Sequence, residues 1–380
     1  MFRNLAQRPD LDFEVFFAML PDSAAQGAGF GVAFDWDIPL LDGYPYRVLK
    51  NVSGQPGVTT FRGCDTPGIH EELRKLKPDA VVVNGWVVKT CLQALWSAKR
   101  LGIPCIVRGE ANNLRPRPGW KRFLQGLLVR RYDGYVAIGK ANHSFYRSHG
   151  VAEAKIGEAL YCIENSRLQR GVRETKARRA ELRRHWKLPE GQTCFLFCGK
   201  FEEKKHPFEL VTAFRQSVTS GCSASLLMVG DGPLRSACER YAADHELPIV
   251  FAGFLNQSEI VDAYVAADVS VLPSDHGETW GLVVNEGMAC GLPAIVSDQV
   301  GCREDLIVEG KTGWSFPFGD WTALAELLSR VGGDVEGLRS MSEACLELIA
   351  SYSPAAAADG IAAAIAKLLR LNLSENEDTR

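Results

Sequence analysis

The chain has 380 residues, 46% of them hydrophobic, and a formal net charge of −3, enough for two domains of ordinary size with a core each. No apolar run reads as long enough to span a membrane, and MFRNLAQRPDLD at the N-terminus lacks the apolar segment of a secretory leader, so no export signal is visible in it. Eleven cysteines without a CxxC pair read as small buried hydrophobes in a reducing compartment, which argues against a zinc site and for a cytoplasmic protein.

The small net charge hides two unlike halves. Residues 1–190 hold 30 Lys and Arg against 19 Asp and Glu, and residues 191–380 hold 13 against 27. Two stretches carry the basic excess: Arg115 to Arg131, with six basic and no acidic residues, and Arg167 to Lys187, with nine basic against two acidic. Without a stacking set of aromatics or a recognised module, neither reads as a nucleic-acid surface.

In chain order, residues 2–8 read as the end of a helix and FEVFFAML at 13–20 as a strand. In a doubly wound sheet a central strand, a glycine-rich turn and a helix precede such an opening. The natural chain is therefore expected to begin roughly 25 to 35 residues earlier, about one βα unit. GAGFGVAF at 27–34 is not a dinucleotide fingerprint, because Val32 stands where the third glycine belongs and no helical pattern follows. Strands are expected at Tyr46–Val52, Asp79–Asn84, Ile103–Arg108 and Gly134–Ile138, with helices at about 67–77, 87–100, 119–131 and 140–149 between them. This alternation predicts a parallel sheet with helices on both faces. The helix in RPGWKRFLQGLLVRR sets Trp120, Phe123, Leu124, Leu127 and Leu128 on one side, between basic ends. It reads either as a core-facing helix with a solvated flank or as an amphipathic helix on an anionic membrane.

After the second basic stretch, TCFLFCGK is a buried strand that ends at Gly199 and Lys200, followed by Lys205 just before a helix opened by Pro207. SASLLMVGDGPLRSACERYA is a strand, a turn with Gly230 and Gly232, and a helix. PIVFAGFLNQSEIVDAYVAA supplies the next strand and helix. The run VLPSDHGETWGLVVNEGMACGLPAIVS at 271–297 then joins a buried strand, a polar loop, a helix that starts near Thr279–Gly281, and another strand. A strand's carboxyl end and a helix N-terminus thus meet at one point, the place where open parallel sheets bind ligands and where free N–H groups receive anions. Glu278 lies in that loop and Glu286 about two helical turns inside the helix.

The proline-serine, the two glutamates eight apart, the glycine between them and the GMACGLP run together resemble the signature of the retaining glycosyltransferases of family four. The resemblance covers the second half of the chain closely and the first half by pattern. It implies an α/β fold of the GT-B type: two Rossmann-like doubly wound parallel-sheet domains facing each other across a cleft, the first lacking its first strand. The expected divisions are an acceptor-side domain at 1–166, a basic interdomain segment at 167–190, a donor-binding domain at 191–352, a helix at 353–371 that crosses back to the first domain, and a disordered tail at 372–380. The resemblance implies that Glu278 holds the donor sugar and Glu286 the ribose hydroxyls. It gives the diphosphate to Lys200 and Lys205, with Lys200 where the family has arginine, so that a point charge replaces a bidentate fork. The N–H groups of Trp280, Gly281 and Leu282, beside Thr279, would share that charge, Gly230 and Gly232 would admit the nucleotide, and the backbone at Phe254 and Leu255 would flank the base. Many relatives carry a histidine after the second of the first domain's later strands. Here Glu110 is the nearest polar group, and it reads as an acceptor-orienting residue, a base, or a partner of Arg108.

The implied reaction is retaining transfer of a sugar from a UDP- or GDP-sugar to a carbohydrate or lipid-linked acceptor in cell-surface polysaccharide or glycolipid assembly, with no cofactor and no metal. The resemblance also favours a peripheral place at the cytoplasmic membrane face through residues 115–131. Two other readings stay open: a nucleotide-sugar epimerase, disfavoured by the lysine pair, and a nucleotide-sugar-binding protein of the same fold without transfer activity.

Overall fold

The computed structural model describes residues 1–27 and 31–377, with side chains as far as residue 371. Residues 28–30 of the GAGFGVAF stretch and 378–380 of the expected tail lie outside the described residues. The chain forms two compact units, one of residues 1–22, 41–161 and 354–380, the other of residues 23–40 and 162–353.

The first unit holds β1 (Val15–Phe17), β2 (Tyr46–Val48), β3 (Val81–Asn84), β4 (Cys105–Arg108), β5 (Gly134–Ala137) and β6 (Ile156–Glu158). All pairings are parallel, but the strands form two separate sheets, β1-β2 and β3-β4-β5-β6. A doubly wound sheet would carry one more strand between β1 and β3, and none of the described residues fills that place. Side chains alternate across β4 and β5. Cys105, Val107, Tyr135 and Ala137 face a core with Leu95, Phe145 and Tyr146, while Ile106 and Val136 face one with Leu5, Ile361 and Leu368.

The helix Pro354–Glu377 makes that second core. It fits closely because a Cβ on Gly360 would lie 2.0 Å from the Glu158 carbonyl oxygen. Two sequence expectations change here. The helix runs six residues past 371, into the stretch read as a disordered tail. Residues 335–371 are also long and apolar enough to cross a membrane by length and composition. They form two helices, Val335–Ala350 and the start of Pro354–Glu377, each with a side in a core.

The second unit is one six-stranded parallel sheet built from β7 (Thr193–Cys198), β8 (Ala224–Val229), β9 (Ile249–Gly253), β10 (Val269–Leu272), β11 (Ala294–Ser297) and β12 (Gly313–Phe316). Its order is β12-β11-β10-β7-β8-β9, the doubly wound order, which reverses between β7 and β10. The apolar runs of the sequence become its fully buried centre, because a strand covered by helices on both faces has no polar side. The basic segment is the helices Asn165–Thr175 and Arg179–His185, which belong to this unit. Arg179 and Arg183 close on Asp268 at 2.6 and 3.1 Å, and Asp268 also accepts the Cys194 N–H, tying the helix to the start of β7 and β10.

Candidate functional site

The reversal of strand order puts the carboxyl ends of β7 and β10 side by side, and the sequence-selected residues of the second unit gather there. After β7 the chain passes Gly199 and Lys200 into the short turn Glu203–Lys205, then the helix Pro207–Thr219. After β10 it passes the 273–281 loop into the helix Leu282–Ala289. Gly281 caps that helix with φ 101°, and a Cβ there would lie 2.8 Å from Leu272 Cδ2, so the position needs glycine on both counts. The loop is pinned to its neighbours: the Gly301 N–H donates to Glu278 O at 3.1 Å and the Cys302 N–H to Trp280 O at 2.9 Å. Trp280 is buried, and its Nε1 donates to Asn285 Oδ1 at 2.8 Å inside the helix.

Lys205, only 9% exposed, donates from Nζ to Glu278 Oε2. The two groups to which the family resemblance gives the diphosphate and the sugar thus face each other, each neutralising the other's charge. Burying such a pair is tolerable only because both charges are present; removing one strands the other. Glu286 is half-buried and accepts from the Tyr264 hydroxyl at 2.8 Å. Burial pushes its carboxyl above the usual glutamate range, against the pull of Tyr264, Arg167 and Gln257. Arg167 is fixed in turn by the Gln257 carbonyl oxygen at 2.6 Å and by the Gln257 side chain.

Gly230 sits where the β8 turn meets the β7 turn. A Cβ there would lie 1.9 Å from Gly199 O, so its φ of 127° and bare backbone serve the packing of the β8 turn on the β7 turn. Gly232 follows in the same turn with φ 148°, where Asp231 accepts from its N–H. Phe254 and Leu255 follow β9, but the Phe254 ring is covered: Phe34 lies 4.3 Å away, centroid to centroid. Asn256 donates to Asp35 O at 2.8 Å, and the Ser258 N–H to Asp37 Oδ2 at 3.1 Å. Residues 34–37 therefore strap the loop read as flanking the base. Glu110 lies in the first unit, where it accepts from the Tyr161 hydroxyl at 2.5 Å while Arg108 sits over the Tyr161 ring.

Sequence reasoning missed Tyr264, Arg167, Gln257 and the 34–37 strap. Tyr264 shows only as the one hydroxyl in an apolar helix, and Arg167 is one of nine cations in its run. Among the described residues no cluster of three or more His, Cys, Asp or Glu side chains is placed to hold a metal ion.

Two parallel α/β units, one with cations, carboxylates and a helix N-terminus at its topological switch point, define the GT-B class of fold. The family model for glycosyl transferases group 1 matches residues 178–346. A GDP-mannose-dependent alpha-mannosyltransferase of Mycolicibacterium smegmatis is 37% identical over 288 residues, covering 71% of this chain and 67% of that protein. The GDP-mannose-dependent alpha-(1-6)-phosphatidylinositol dimannoside mannosyltransferase of Mycobacterium tuberculosis (strain ATCC 25177 / H37Ra) is 39% identical over 263 residues, 66% of this chain. The chain spans 65% of that relative's length, a little under two thirds. Among solved structures, Anabaena HepE in complex with UDP superposes with a TM-score of 0.64 at 13% identity, covering 89% of this chain and 87% of that one. A glycosyltransferase from Rickettsia africae gives 0.63 at 16% identity, covering 88% and 85%. The chain belongs to the group 1 glycosyltransferases.

Proposed function

We propose that the chain transfers mannose from GDP-mannose to a glycolipid acceptor with retention of anomeric configuration. The observation that carries the reading is the buried meeting of Lys205 and Glu278 at the switch point, with Glu286 on the adjoining helix. The names of the two mycobacterial relatives support the choice of GDP-mannose over UDP-sugars and of a lipid-linked acceptor.

On this reading the arriving donor replaces the Lys205–Glu278 contact. Lys205 and Lys200 take the diphosphate oxygens, Glu278 takes sugar hydroxyls, and Glu286 takes the ribose hydroxyls. As the bond from the sugar's C1 to the diphosphate oxygen breaks, the leaving oxygen gains negative charge. The two lysines, once Lys205 is released from Glu278, and the N–H groups of Trp280 to Leu282 stabilise it on this reading. The acceptor hydroxyl attacks C1 from the face the diphosphate leaves, and its proton passes to the departing phosphate. Glu110 orients the acceptor.

The helix Gly119–Val129 supports a place at a membrane. Its exposed face carries Trp120, Phe123, Leu124 and Leu127, with Trp120 62% and Phe123 61% exposed, while the small Gly126 and the Val129 side chain face the core. A contiguous apolar face flanked by Lys121, Arg122, Arg130 and Arg131 suits an anionic lipid surface. A second reading, nucleotide-sugar binding without transfer, draws on the two-piece sheet of the first unit.

The test is the rise in melting temperature with GDP, GDP-mannose, UDP and UDP-glucose, beside transfer of radiolabelled mannose to a phosphatidylinositol mannoside. Stabilisation by the GDP ligands, reduced in Glu286→Ala, with labelled product, supports the reading. Stabilisation by UDP ligands alone overturns the donor, and GDP binding without product favours the second reading.

A further inference from the structure

His206 closes the turn that carries Lys205 and opens the helix Pro207–Thr219. Its backbone stands in the left-handed region, φ 50° and ψ 45°, where glycine sits freely and a residue with a side chain is strained. The imidazole does not cap the helix, since its side chain makes no bond to the first-turn N–H groups. It is enclosed instead: the Phe318 ring lies 4.9 Å away and the Trp321 ring 5.5 Å, centroid to centroid. Both imidazole nitrogens are buried, and neither has a hydrogen-bond partner among the described residues. A strained backbone and a costly burial thus fall on one residue, next in the chain to Lys205.

What faces the imidazole is charge. Nδ1 lies 3.4 Å from Glu209 Oε1 on its own helix, and Nε2 lies 3.7 Å from Asp275 Oδ2, in the loop after β10 that also holds Glu278. Phe318 and Trp321, from the segment after β12, bring no charge, and the neighbouring ammonium groups of Lys204 and Lys205 turn to Glu202 and Glu278. The two imidazole contacts are too long for good hydrogen bonds, so the group links its carboxylates through charge. Burial pulls the histidine down, but Glu209 and then Asp275 outweigh it and hold the imidazolium above its ordinary value. The Asp275 N–H donates to Lys204 O at 3.0 Å, and Asp275 Oδ1 accepts the Gly277 N–H at 2.6 Å. The carboxylate that His206 faces is therefore the one that shapes the chain just before Glu278.

We infer that His206, as imidazolium, is a positioning residue that keeps the Lys205 turn and the Glu278 loop in register once the donor has parted their side chains. This role rests on the reading in which Lys205 takes the diphosphate and Glu278 the sugar. In the ligand-free chain the contact between Lys205 and Glu278 ties the two segments directly. When the donor replaces that contact, the backbone bond from Asp275 to Lys204 and the charge of His206 against Asp275 carry the spacing. Loss of the imidazolium proton leaves Asp275 and Glu209 facing an uncharged ring, so transfer falls as pH rises through the raised value of the histidine. The stability that these ion contacts add has the same sign: it is complete below the ordinary histidine value and is lost over that rise.

The experiment takes the whole chain and three variants, each first checked for cooperative melting. His206→Asn keeps a residue that tolerates the left-handed backbone but cannot take up charge. His206→Gly removes the imidazole and the strain together, and Asp275→Asn keeps an acceptor for the Gly277 N–H while removing the facing charge. Mannose transfer and GDP affinity are followed across pH, beside the titration of His206 in histidine-labelled protein. In the wild type, turnover should fall with rising pH at the midpoint where His206 titrates, and that midpoint should lie above the one for a histidine in an unstructured peptide. Asp275→Asn should lower the midpoint in both readouts. Below it, His206→Asn and His206→Gly should turn over roughly tenfold more slowly, the size of one charged contact, with the histidine limb of the profile gone and GDP affinity unchanged. Glycine that holds the melting temperature while turnover falls separates positioning from packing. Wild-type turnover with an unaltered pH profile in either His206 variant overturns the role while the donor reading stands. If both His206 variants fail to melt cooperatively, an Asp275→Asn profile that does not move overturns it equally, as does a wild-type His206 that titrates below the peptide. No GDP binding by the wild type, or GDP binding without transfer, overturns the donor or transfer reading and this role with it.

Discussion

The two units use the same alternation of strand and helix to different ends. In the second, β7, β8, β10 and β11 are buried along their whole length and stand next to one another, so the loops at the switch point hang from a rigid centre. In the first, only β4 and β5 are wholly buried, β2 is exposed along its length, and the strands fall into two sheets. The groups that would stabilise developing charge have angstrom-scale demands and sit on the rigid unit. The surface that would meet a variable, lipid-linked partner sits on the looser one.

The strongest way to break this contrast is to cut the second unit's own fastening. Asp268→Ala leaves Arg183 and Arg179 without their carboxylate in a largely buried site, and a loss of about 3–5 kcal/mol is expected from denaturant unfolding. A loss that fell on the first unit's exchange protection would contradict the division. Next comes Lys205→Ala, expected to lower mannose transfer roughly 100- to 1,000-fold, the range for losing one pre-placed charge-stabilising donor. A fall in affinity for GDP-mannose with turnover unchanged would make Lys205 a binding residue only.

Glu286 gives a smaller effect with a definite sign. Because burial raises its carboxyl in the folded chain, the native state holds this proton more tightly than the unfolded chain does. Its contribution to stability is therefore greatest below the ordinary glutamate range and falls as pH rises through that range to the raised value. Glu286→Gln should flatten this part of the melting-temperature profile and raise the melting point of the ligand-free chain near neutral pH, while weakening GDP binding. An unchanged profile would show that Tyr264 and Arg167 already hold the carboxylate ionised. The smallest change is expected from Trp120→Ser, within about 0.5 kcal/mol of wild type, since its ring is mostly in solvent. A large loss would return that helix face to the core.

What the sequence made legible follows from locality. The buried strands of the second unit are continuous apolar runs, and the Glu278 and Glu286 loop is a single strand-loop-helix passage, so both show in a short window. Lys205 meeting Glu278 is 73 residues distant in the chain, and Phe34 on Phe254 is 220. No periodicity encodes such contacts. The helix Gly119–Val129 shows a subtler limit. Its spacing reveals an apolar face but not which way it turns, and the core takes the side of Leu128 and Val129. Gly230 shows a related limit: a bare backbone signals close approach without saying what approaches, and the Gly199 carbonyl oxygen is one such neighbour.

The gap between β1 and β3 has a consequence for how the molecule behaves in company. Each of these strands is paired on one side only among the described residues, and both are partly apolar. Such edges template the addition of any extended segment of matching length, from a neighbouring molecule as readily as from a designed peptide. Self-association of this chain would therefore nucleate in its first unit, and a short β-branched peptide that caps β3 would suppress it.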